Sequence, residues 1–512
     1  MSELAQAADL PGLEVVASAA APAARAPGRP RVKPVDRSQQ VWRAVDVESL
    51  IEEDHPARAL WALTGQVDLQ PFYAPIEAVE GSAGRTPWDP RLLASLWIYA
   101  YSLGISSARE IARRCAYEPA FQWLCGSTVI NHHTISDFRS AQPEALGQLF
   151  TEVLGVLSAQ GLVSLQRVMH DGTKLRAFAS AQSFRREATL TEHLQAARQQ
   201  VEALSQEHED ESPRQSAARA RAAQECQQRV EAALQQLKEV QQTKSGAKEK
   251  AVVRASTSDP QARIMKQPGG AYAPAYNAQI STEASHKIIV GVAVTQSGND
   301  YPELLPAVQR VEQNLEAKPT QMVVDGGFTS RANVLAMHAQ GVDLIGSLID
   351  KEPTNANTDP EFCREAFQYD ATENSYRCPA GHALRAAGQS EGPVGVVQYY
   401  YRAPKALCEA CPFKARCCPK SHQRTLTVAE EVPLVARFRE RMQTPEARAI
   451  YKQRAEVAEF PNAWIKEKLG LRRFRLRGLV KVGLETLWAC LTYNIQQWIR
   501  LCWRPSLAGA QN

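Results

Sequence analysis

The sequence predicts a mixed α/β protein in which a helical region precedes a sheet covered by helices. Between residues 45 and 160, apolar residues recur at helical spacing, and from residue 161 onwards short apolar runs typical of strands appear. From residue 270 to 350, candidate strands alternate with candidate helices, which indicates an α/β sheet. The 512 residues suffice for several domains with cores of their own.

Composition excludes several classes of protein. The chain is 44% hydrophobic and 22% charged, as soluble globular proteins are, and its net charge of +4 does not by itself indicate a nucleic-acid partner. It has no apolar stretch of about 18 residues, so we expect no membrane span. The N-terminus lacks the pattern of a secretion signal, and we therefore expect a cytoplasmic protein. The eleven cysteines are then expected to be thiols or metal ligands rather than disulfides.

The first part of the chain is predicted to be an arm followed by short helices. Residues 1–44, rich in Ala and Pro, are expected to be disordered. In the helical region, residues 45–160, Asp89-Pro90 is a typical helix start, and further helices are predicted at 108–115 and 131–139. Short helices separated by tight turns are typical of a helix-turn-helix DNA-binding unit, although a plain helical bundle fits as well. In the first case the residues facing a groove would be His132, His133, Thr134, Ser136 and Arg139.

Two segments differ from the strands and helices around them. Residues 187–250 carry apolar residues at near-heptad spacing with a polar break in the middle, which predicts a helical hairpin inserted between two strands. Residues 351–430 look irregular and contain about half of the cysteines.

Two aspartates stand at equivalent places. Asp171 ends one apolar strand-like run and Asp325 ends another, and each is followed by a glycine that allows a sharp turn. Because functional sites in open α/β sheets form at strand ends, the two carboxylates are expected to meet. They would repel each other unless a divalent cation neutralised them, and carboxylate oxygens suit Mg²⁺ or Mn²⁺.

A third acid is expected from a helix predicted over residues 445–470. Glu456, Glu459 and Lys466 fall near one face of that helix, because three residues correspond to about 300° of turn and seven to about 700°. A glutamate there could complete the metal site if the helix crosses the sheet. An ordinary solvated face of a helix would show the same charges.

At these residues the chain resembles the bacterial insertion-sequence transposases that carry a DDE triad on an RNase H-like fold. The matching motifs are residues 170–174 around the first aspartate, 276–279 with 299–300, 324–328 around the second aspartate, and the third-acid signature of Tyr451, Arg454, Glu459 and Lys466. The commonest form of the signature has three residues between Arg and Glu, which would place the acid at Ala458. The spacing to Lys466 selects Glu459, with Glu456 as the alternative.

The resemblance implies both an architecture and an activity. Residues 161–186, 251–350 and 431–503 would form an RNase H-like catalytic core, interrupted by the helical-hairpin insertion and the Cys-rich insertion and preceded by the helical domain. Asp171, Asp325 and Glu459 would hold Mg²⁺ or Mn²⁺ and catalyse DNA strand cleavage and strand transfer. The partners would be the element's terminal repeats and target DNA, bound by a homodimer or larger assembly associated with the nucleoid. A catalytically inactive DNA-binding remnant and a metal nuclease without strand transfer remain alternatives.

A basic stretch near the C-terminus is the best candidate for contacts with DNA phosphates. Between residues 466 and 481, seven lysines and arginines face a single glutamate, and Trp464 and Phe474 could stack on exposed bases. Together with the signature, the predicted DNA-binding residues are Tyr451, Arg454, Lys466, Lys468, Arg472, Arg473, Arg475 and Arg477.

The cysteines of the segment 351–430 have the spacing of a structural zinc site. A Cys-x2-Cys pair, Cys408 and Cys411, has further cysteines on both sides, and such sets bind zinc tetrahedrally. The preferred ligands are Cys378, Cys408, Cys411 and Cys417, and the substitutes are Cys418, Cys363 and His382. A cysteine-rich loop without metal is the alternative.

Overall fold

The structure, a computed structural model, describes residues 44–78, 86–206, 212–348, 358–391, 397–430 and 432–510. Nearly all of the predicted N-terminal arm lies outside these residues. The chain divides into two units, Met1–Asp46 and Val47–Asn512, and every element below belongs to the second. No helix in the described ranges is long and apolar enough to cross a membrane.

Seven helices make up the first part of the second unit. Local signals set their ends: the Asp89 side chain accepts from the Arg91 amide at 2.8 Å to cap α3, and Ser107 and Asn131 cap α4 and α6. The helices enclose a core that includes Trp97, Tyr101 and Phe121. Their bounds are α1 (Pro56–Thr64), α2 (Gln70–Tyr73), α3 (Pro90–Ser102), α4 (Ala108–Cys115), α5 (Pro119–Leu124), α6 (His132–Ala141) and α7 (Pro143–Ala159).

One expectation for α6 is wrong. Arg139 does not face outwards to a groove but is 7% exposed, with its guanidinium 4.7 Å from the centre of the Trp97 ring. Its Nη1 donates to the Ser106 carbonyl at 2.9 Å. The residue therefore joins α6 to α3 and to the turn before α4, because a buried guanidinium must satisfy its donors within the protein.

A six-stranded sheet follows the helical region. Strand β5 pairs antiparallel with β4 and β6 on one side and with β1 on the other. Strands β1, β7 and β8 then follow side by side and are parallel to one another. The strands up to this point are β1 (Arg167–Arg176), β2 (Phe184–Arg185), β3 (Ala255–Ser256), β4 (Arg263–Lys266), β5 (Tyr272–Glu283), β6 (Ile289–Thr295), β7 (Gln321–Val324) and β8 (Asp343–Ile345). The short strands β2 and β3 pair with each other outside this sheet.

Helices between the strands cover the sheet and form the predicted hairpin. Helices α8 (Glu187–Gln206) and α9 (Pro213–Gln242) lie between β2 and β3 in the chain and pack through Leu190, Val230 and Leu237. Of the polar break predicted at 207–213, residues 207–211 lie outside the described residues, and Ser212 caps α9. The remaining helices of this part are α10 (Ala247–Ala251), α11 (Leu304–Leu315) and α12 (Arg331–Ala339).

The sequence suggested irregular structure for the segment 351–430, and this prediction is wrong for its described residues. Its described residues form a five-stranded antiparallel sheet in the order β13, β12, β11, β10, β9. Only a small core of residues such as Tyr376, Leu384, Tyr401 and Leu426 supports it, so most strand positions are polar and the alternation is faint. The elements are β9 (Gln368–Asp370), β10 (Ser375–Arg377), β11 (Ala383–Glu391), β12 (Val397–Arg402), α13 (Lys405–Glu409), α14 (Lys414–Cys417) and β13 (Thr425–Ala429).

The last helices close the fold over both earlier parts. Helix α16 (Pro445–Glu467) follows α15 (Pro433–Gln443) and packs Val457 and Ala458 against Met169 of β1. Helix α17 (Leu479–Trp498) reaches the sheet through Asn494, whose amide donates to and accepts from the backbone of Ile289 at 2.8 and 2.9 Å. Helix α17 also contacts the N-terminal helices, because its Trp488 indole donates to the carbonyl of Arg139 in α6 at 3.2 Å. A π-helical turn, Ile499–Trp503, and α18 (Arg504–Ala510) follow.

Candidate active site

The sheet brings the two predicted aspartates together. Parallel pairing of β1 and β7 sets His170 opposite Val324, so the residues that follow them, Asp171 and Asp325, lie side by side. Burial raises the pKa of Asp171 to about 6, and the negative charge of Asp325 adds to the rise although the Arg454 guanidinium opposes it. Each carboxylate is therefore within electrostatic reach of the other, as the sequence predicted.

The turn after β7 fixes the second aspartate. Asp325 Oδ1 accepts from the Gly327 amide at 2.8 Å, and the Thr329 hydroxyl donates to the Asp325 carbonyl at 3.0 Å. A Cβ at Gly327 would stand 3.0 Å from Asp325 Oδ1. The glycine thus lets the backbone approach the carboxylate closely.

A third carboxylate, Asp300, lies beside the first two and was missed as a site residue. Its Oδ1 accepts from the side chains of Asn277 at 2.6 Å and Gln279 at 3.1 Å, and its Oδ2 is 3.5 Å from Lys174 Nζ. A Cβ at Gly172 would stand 2.8 Å from Asp300 Oδ1, so the glycine after Asp171 makes room for this carboxylate. The sequence signal, Asn299-Asp300, indicated only a turn.

Helix α16 covers Asp171 with two side chains. Arg454 Nη1 is 3.9 Å from Asp171 Oδ1, and Asn462 Nδ2 donates to Asp171 Oδ2 at 3.1 Å. Asn462 was not predicted, because a single asparagine within a helix carries no pattern that could be read from sequence. Lys466 Nζ donates to the Thr173 hydroxyl, two residues further along β1. The predicted signature residue Tyr451 lies under Arg454, with the guanidinium 5.9 Å from its ring centre.

The two candidate glutamates of α16 point differently. Glu456 binds Lys287 Nζ at 2.8 Å in the turn between β5 and β6, with 77% of its side chain exposed. Glu459 is exposed and comes three residues before Asn462, which is about 60° away around the helix axis. Neither carboxylate joins Asp171 and Asp325 in this conformation. Within the described ranges, no three His, Cys, Asp or Glu side chains are arranged to hold a metal ion.

The basic segment runs along the end of β1. The Phe474 amide donates to the Arg176 carbonyl at 2.9 Å, and Arg473 pairs with Arg176 as a short parallel bridge. The guanidinium groups of Arg473 and Arg477 lie 5.1 and 4.8 Å from the ring centre of Phe178. The buried Glu485 carboxylate accepts the amide of Arg475 at 3.0 Å and so anchors the segment. The exposed cations here are Lys468, Arg472, Arg473, Arg475, Arg477 and Lys481.

The expected stacking of aromatic side chains on DNA bases is wrong for Phe474. Phe474 is fully buried and meets the Tyr276 ring edge-on at 5.8 Å. In an extended segment side chains alternate, so Arg473 and Arg475 point outwards while Phe474 points into the core. Trp464 is half-buried, and its indole donates to Gln496 Oε1 at 2.8 Å.

The cysteines of the smaller sheet converge on one cavity of about 20 Å³. Burial raises the pKa of the Cys408 thiol, and Cys418, Cys378 and Cys411 lie close enough to raise it further. Cys363, which was predicted as a substitute ligand, is not among the described residues that line this cavity. The lining His and Cys residues are Cys378, His382, Cys408, Cys411, Cys417 and Cys418.

Comparison with known protein families adds to this geometry. Residues 45–141, which hold α1 to α6, match the transposase domain DUF772. Residues 377–499, which hold most of the smaller sheet and α15 to α17, match the transposase DDE domain. The two matches support an insertion-sequence DDE transposase. No curated protein matches the chain. Glu459 lies inside the matched DDE segment, whereas Asp171 and Asp325 lie between the two matched segments, where only the structure supports them.

Proposed function

We propose that this transposase cleaves DNA strands and transfers them at a divalent-cation site formed by Asp171, Asp325 and Glu459. The observation that carries the proposal is that Asp171 and Asp325 directly follow His170 and Val324, which are partners across β1 and β7, and that the charge of Asp325 acts on Asp171. Two neighbouring carboxylates fit a hard cation, because its positive charge offsets their repulsion when both are ionised. Helix α16 carries Glu459 over the same edge of the sheet.

Each residue would have a distinct part in the reaction. Bound Mg²⁺ or Mn²⁺ would supply Lewis-acid activation of water and stabilise charge on the phosphate. Asp171 and Asp325 would hold the cation, and Glu459 would reach it by rotation of its side chain, which no hydrogen bond or ion pair in the described residues holds back. Arg454 and Lys466 would face the phosphates beside the carboxylates. Glu456 is committed to Lys287 and is therefore the weaker candidate for the third acid.

The proposal is tested by nicking of DNA that carries the ends flanking this gene. With Mg²⁺ or Mn²⁺ the wild type is expected to nick these ends and join them to target DNA, whereas Asp325→Asn binds them without nicking. Nicking without joining would instead identify a metal nuclease. Binding without nicking by the wild type would identify a DNA-binding protein that lacks catalysis.

The exposed cations of the basic segment are proposed to contact the DNA backbone. Replacing Arg473 and Arg475 with alanine should reduce the slope of log K against log salt by roughly 2, because each phosphate contact contributes about 0.9. The measurement is DNA affinity at several salt concentrations. Arg416→Ala is the matched control, since Arg416 is an exposed arginine already paired with Asp359 and Glu361. An unchanged slope in the double variant would remove the segment from the interface.

We also propose that the cysteine cavity holds a structural zinc ion. Five thiols line a small cavity, and four of them would suffice for tetrahedral sulfur ligation, although the described side chains are not arranged as ligands. Protein purified without chelator is expected to contain about one zinc per chain, and Cys411→Ser to contain less and unfold at lower temperature. Cys226→Ser, a change in α9, is the control. Wild-type protein free of zinc would refute the site.

A further inference from the structure

We infer that Asn462 is a neutral oxygen donor of the divalent-cation site proposed above, on which this inference rests. The α16 contribution to the site would then be an amide as well as the Glu459 carboxylate. Asn462 and Glu459 are three residues apart and are therefore neighbours on the surface of α16.

The position of Asn462 is fixed by its contact with the first aspartate. Its Nδ2 donates to Asp171 Oδ2 at 3.1 Å, and the side chain is buried, with only 7% of the residue exposed. The amide oxygen is bonded to the same carbon as Nδ2 and is buried with it on the Asp171 side of α16. A cation held by Asp171 would therefore be close to this oxygen.

The Asn462 oxygen has no hydrogen-bond partner among the described residues. Buried amide oxygens in folded proteins almost always accept a hydrogen bond or bind an ion, because an unpaired one loses its interaction with water without replacement. A cation bound at the site would supply the partner that this oxygen lacks. Amide oxygens are hard ligands, and they are common donors to Mg²⁺, Mn²⁺ and Ca²⁺.

A water molecule alone would be a weaker explanation for this oxygen. Asn462 contacts Asp171, and Asp325 is close enough for its charge to act on Asp171. The negative charges of these two carboxylates would attract a cation. Arg454 lies 3.9 Å from the other oxygen of Asp171, so a cation would approach the carboxylate on the Oδ2 side, where Asn462 lies. The Asn462 oxygen is thus an uncharged donor at a place where carboxylates supply the charge.

Binding of Mn²⁺ alone, measured by electron paramagnetic resonance on the full chain, tests the inference. Asn462→Leu, which keeps the volume but removes the donor, should bind Mn²⁺ roughly tenfold or more weakly than wild type. Asn462→Asp, which keeps an oxygen at the same place, should bind at least as tightly as wild type. Asn314→Ala is the control, because the Asn314 amide donates to the Val290 carbonyl at 2.9 Å away from the carboxylates. Thermal unfolding of each variant shows whether it folds.

A cysteine variant adds a readout that a purely structural role would not change. Asn462→Cys places a soft sulfur in the site, so its preference should shift from Mg²⁺ towards Cd²⁺ relative to wild type. If Asn462→Leu binds Mn²⁺ like wild type while Asp171→Asn has lost binding, the inference fails and the proposed cation site stands. If the wild type binds Mn²⁺ no better than Asp171→Asn, the proposed site and the inference fail together.

Discussion

Asp171→Asn is expected to make the metal-free protein more stable at pH 7, by about 2 kcal/mol of unfolding free energy. Burial raises the pKa of Asp171 to about 6 in the folded protein, whereas the unfolded chain keeps a value near 4. The folded state therefore binds this proton more tightly, and stability is lost as the pH rises from about 4 to about 6. Asparagine has the same shape and carries no charge to bury. Denaturant unfolding with chelator present measures the difference.

Divalent cation should reverse this order. Mg²⁺ or Mn²⁺ at about 100 times its Kd stabilises the wild type by roughly 2.7 kcal/mol, since it binds the folded state only, and leaves Asp171→Asn nearly unchanged. Such a reversal would show that the Asp171 carboxylate serves to bind a cation rather than to stabilise the fold.

Asp343→Asn is the matched control for this experiment. Asp343 stands in the neighbouring parallel strand β8, and although burial raises its pKa, hydrogen bonds from Arg441 and Gln321 lower it below the ordinary value. Asp343→Asn should therefore destabilise the protein at pH 7, and cations should not restore it. If metal-free Asp171→Asn also unfolds more easily than wild type, Asp171 is held by its contacts rather than strained by its burial.

Glu459→Gln is expected to reduce metal-dependent nicking roughly 10³-fold, which corresponds to about 4 kcal/mol of transition-state stabilisation. The reason is the loss of one of three charges proposed to hold the cation, while the size of the side chain is preserved. DNA binding should remain, because the basic segment is unaltered. The measurement is the single-turnover nicking rate with saturating Mg²⁺.

The neighbouring glutamate provides the control for that measurement. Glu456→Gln removes a charge from the same helix one turn earlier, where the side chain binds Lys287 at 2.8 Å. Its nicking rate should equal that of the wild type. The opposite pattern, with Glu456→Gln inactive and Glu459→Gln active, would move the third acid to Glu456 and require the Lys287 contact to break.

Features encoded within a few residues could be predicted from the sequence. The cap residues Asp89 and Ser107 set the starts of α3 and α4, and the apolar runs ending in Asp-Gly predicted β1 and β7. In each case a short local pattern has a single physical meaning. Asp325 follows the end of β7 as expected, but the expected turn after Asp171 is wrong, because β1 continues through Gly172 to Arg176 in its pairing with β5.

Features that depend on distant contacts could not be predicted. Asp300 and Asn462 are site residues only because β5 and α16 bring partners from elsewhere in the chain. The smaller sheet was overlooked because its core is too small to leave a hydrophobic alternation. Phe474 was misassigned as a base-stacking residue because the basic residues around it suggested an exposed surface, whereas side chains alternate along this segment and Phe474 points into the core.

Helix α17 contacts both the N-terminal helices and the six-stranded sheet, and this affects how the chain folds during synthesis. Its Trp488 completes the helical region near Arg139, and its Asn494 completes the sheet at Ile289, so neither part has its full core until the ribosome has released α17. Contacts so far apart in the chain form slowly. A prematurely terminated product would expose apolar surface and be degraded, rather than persist as a DNA-binding competitor.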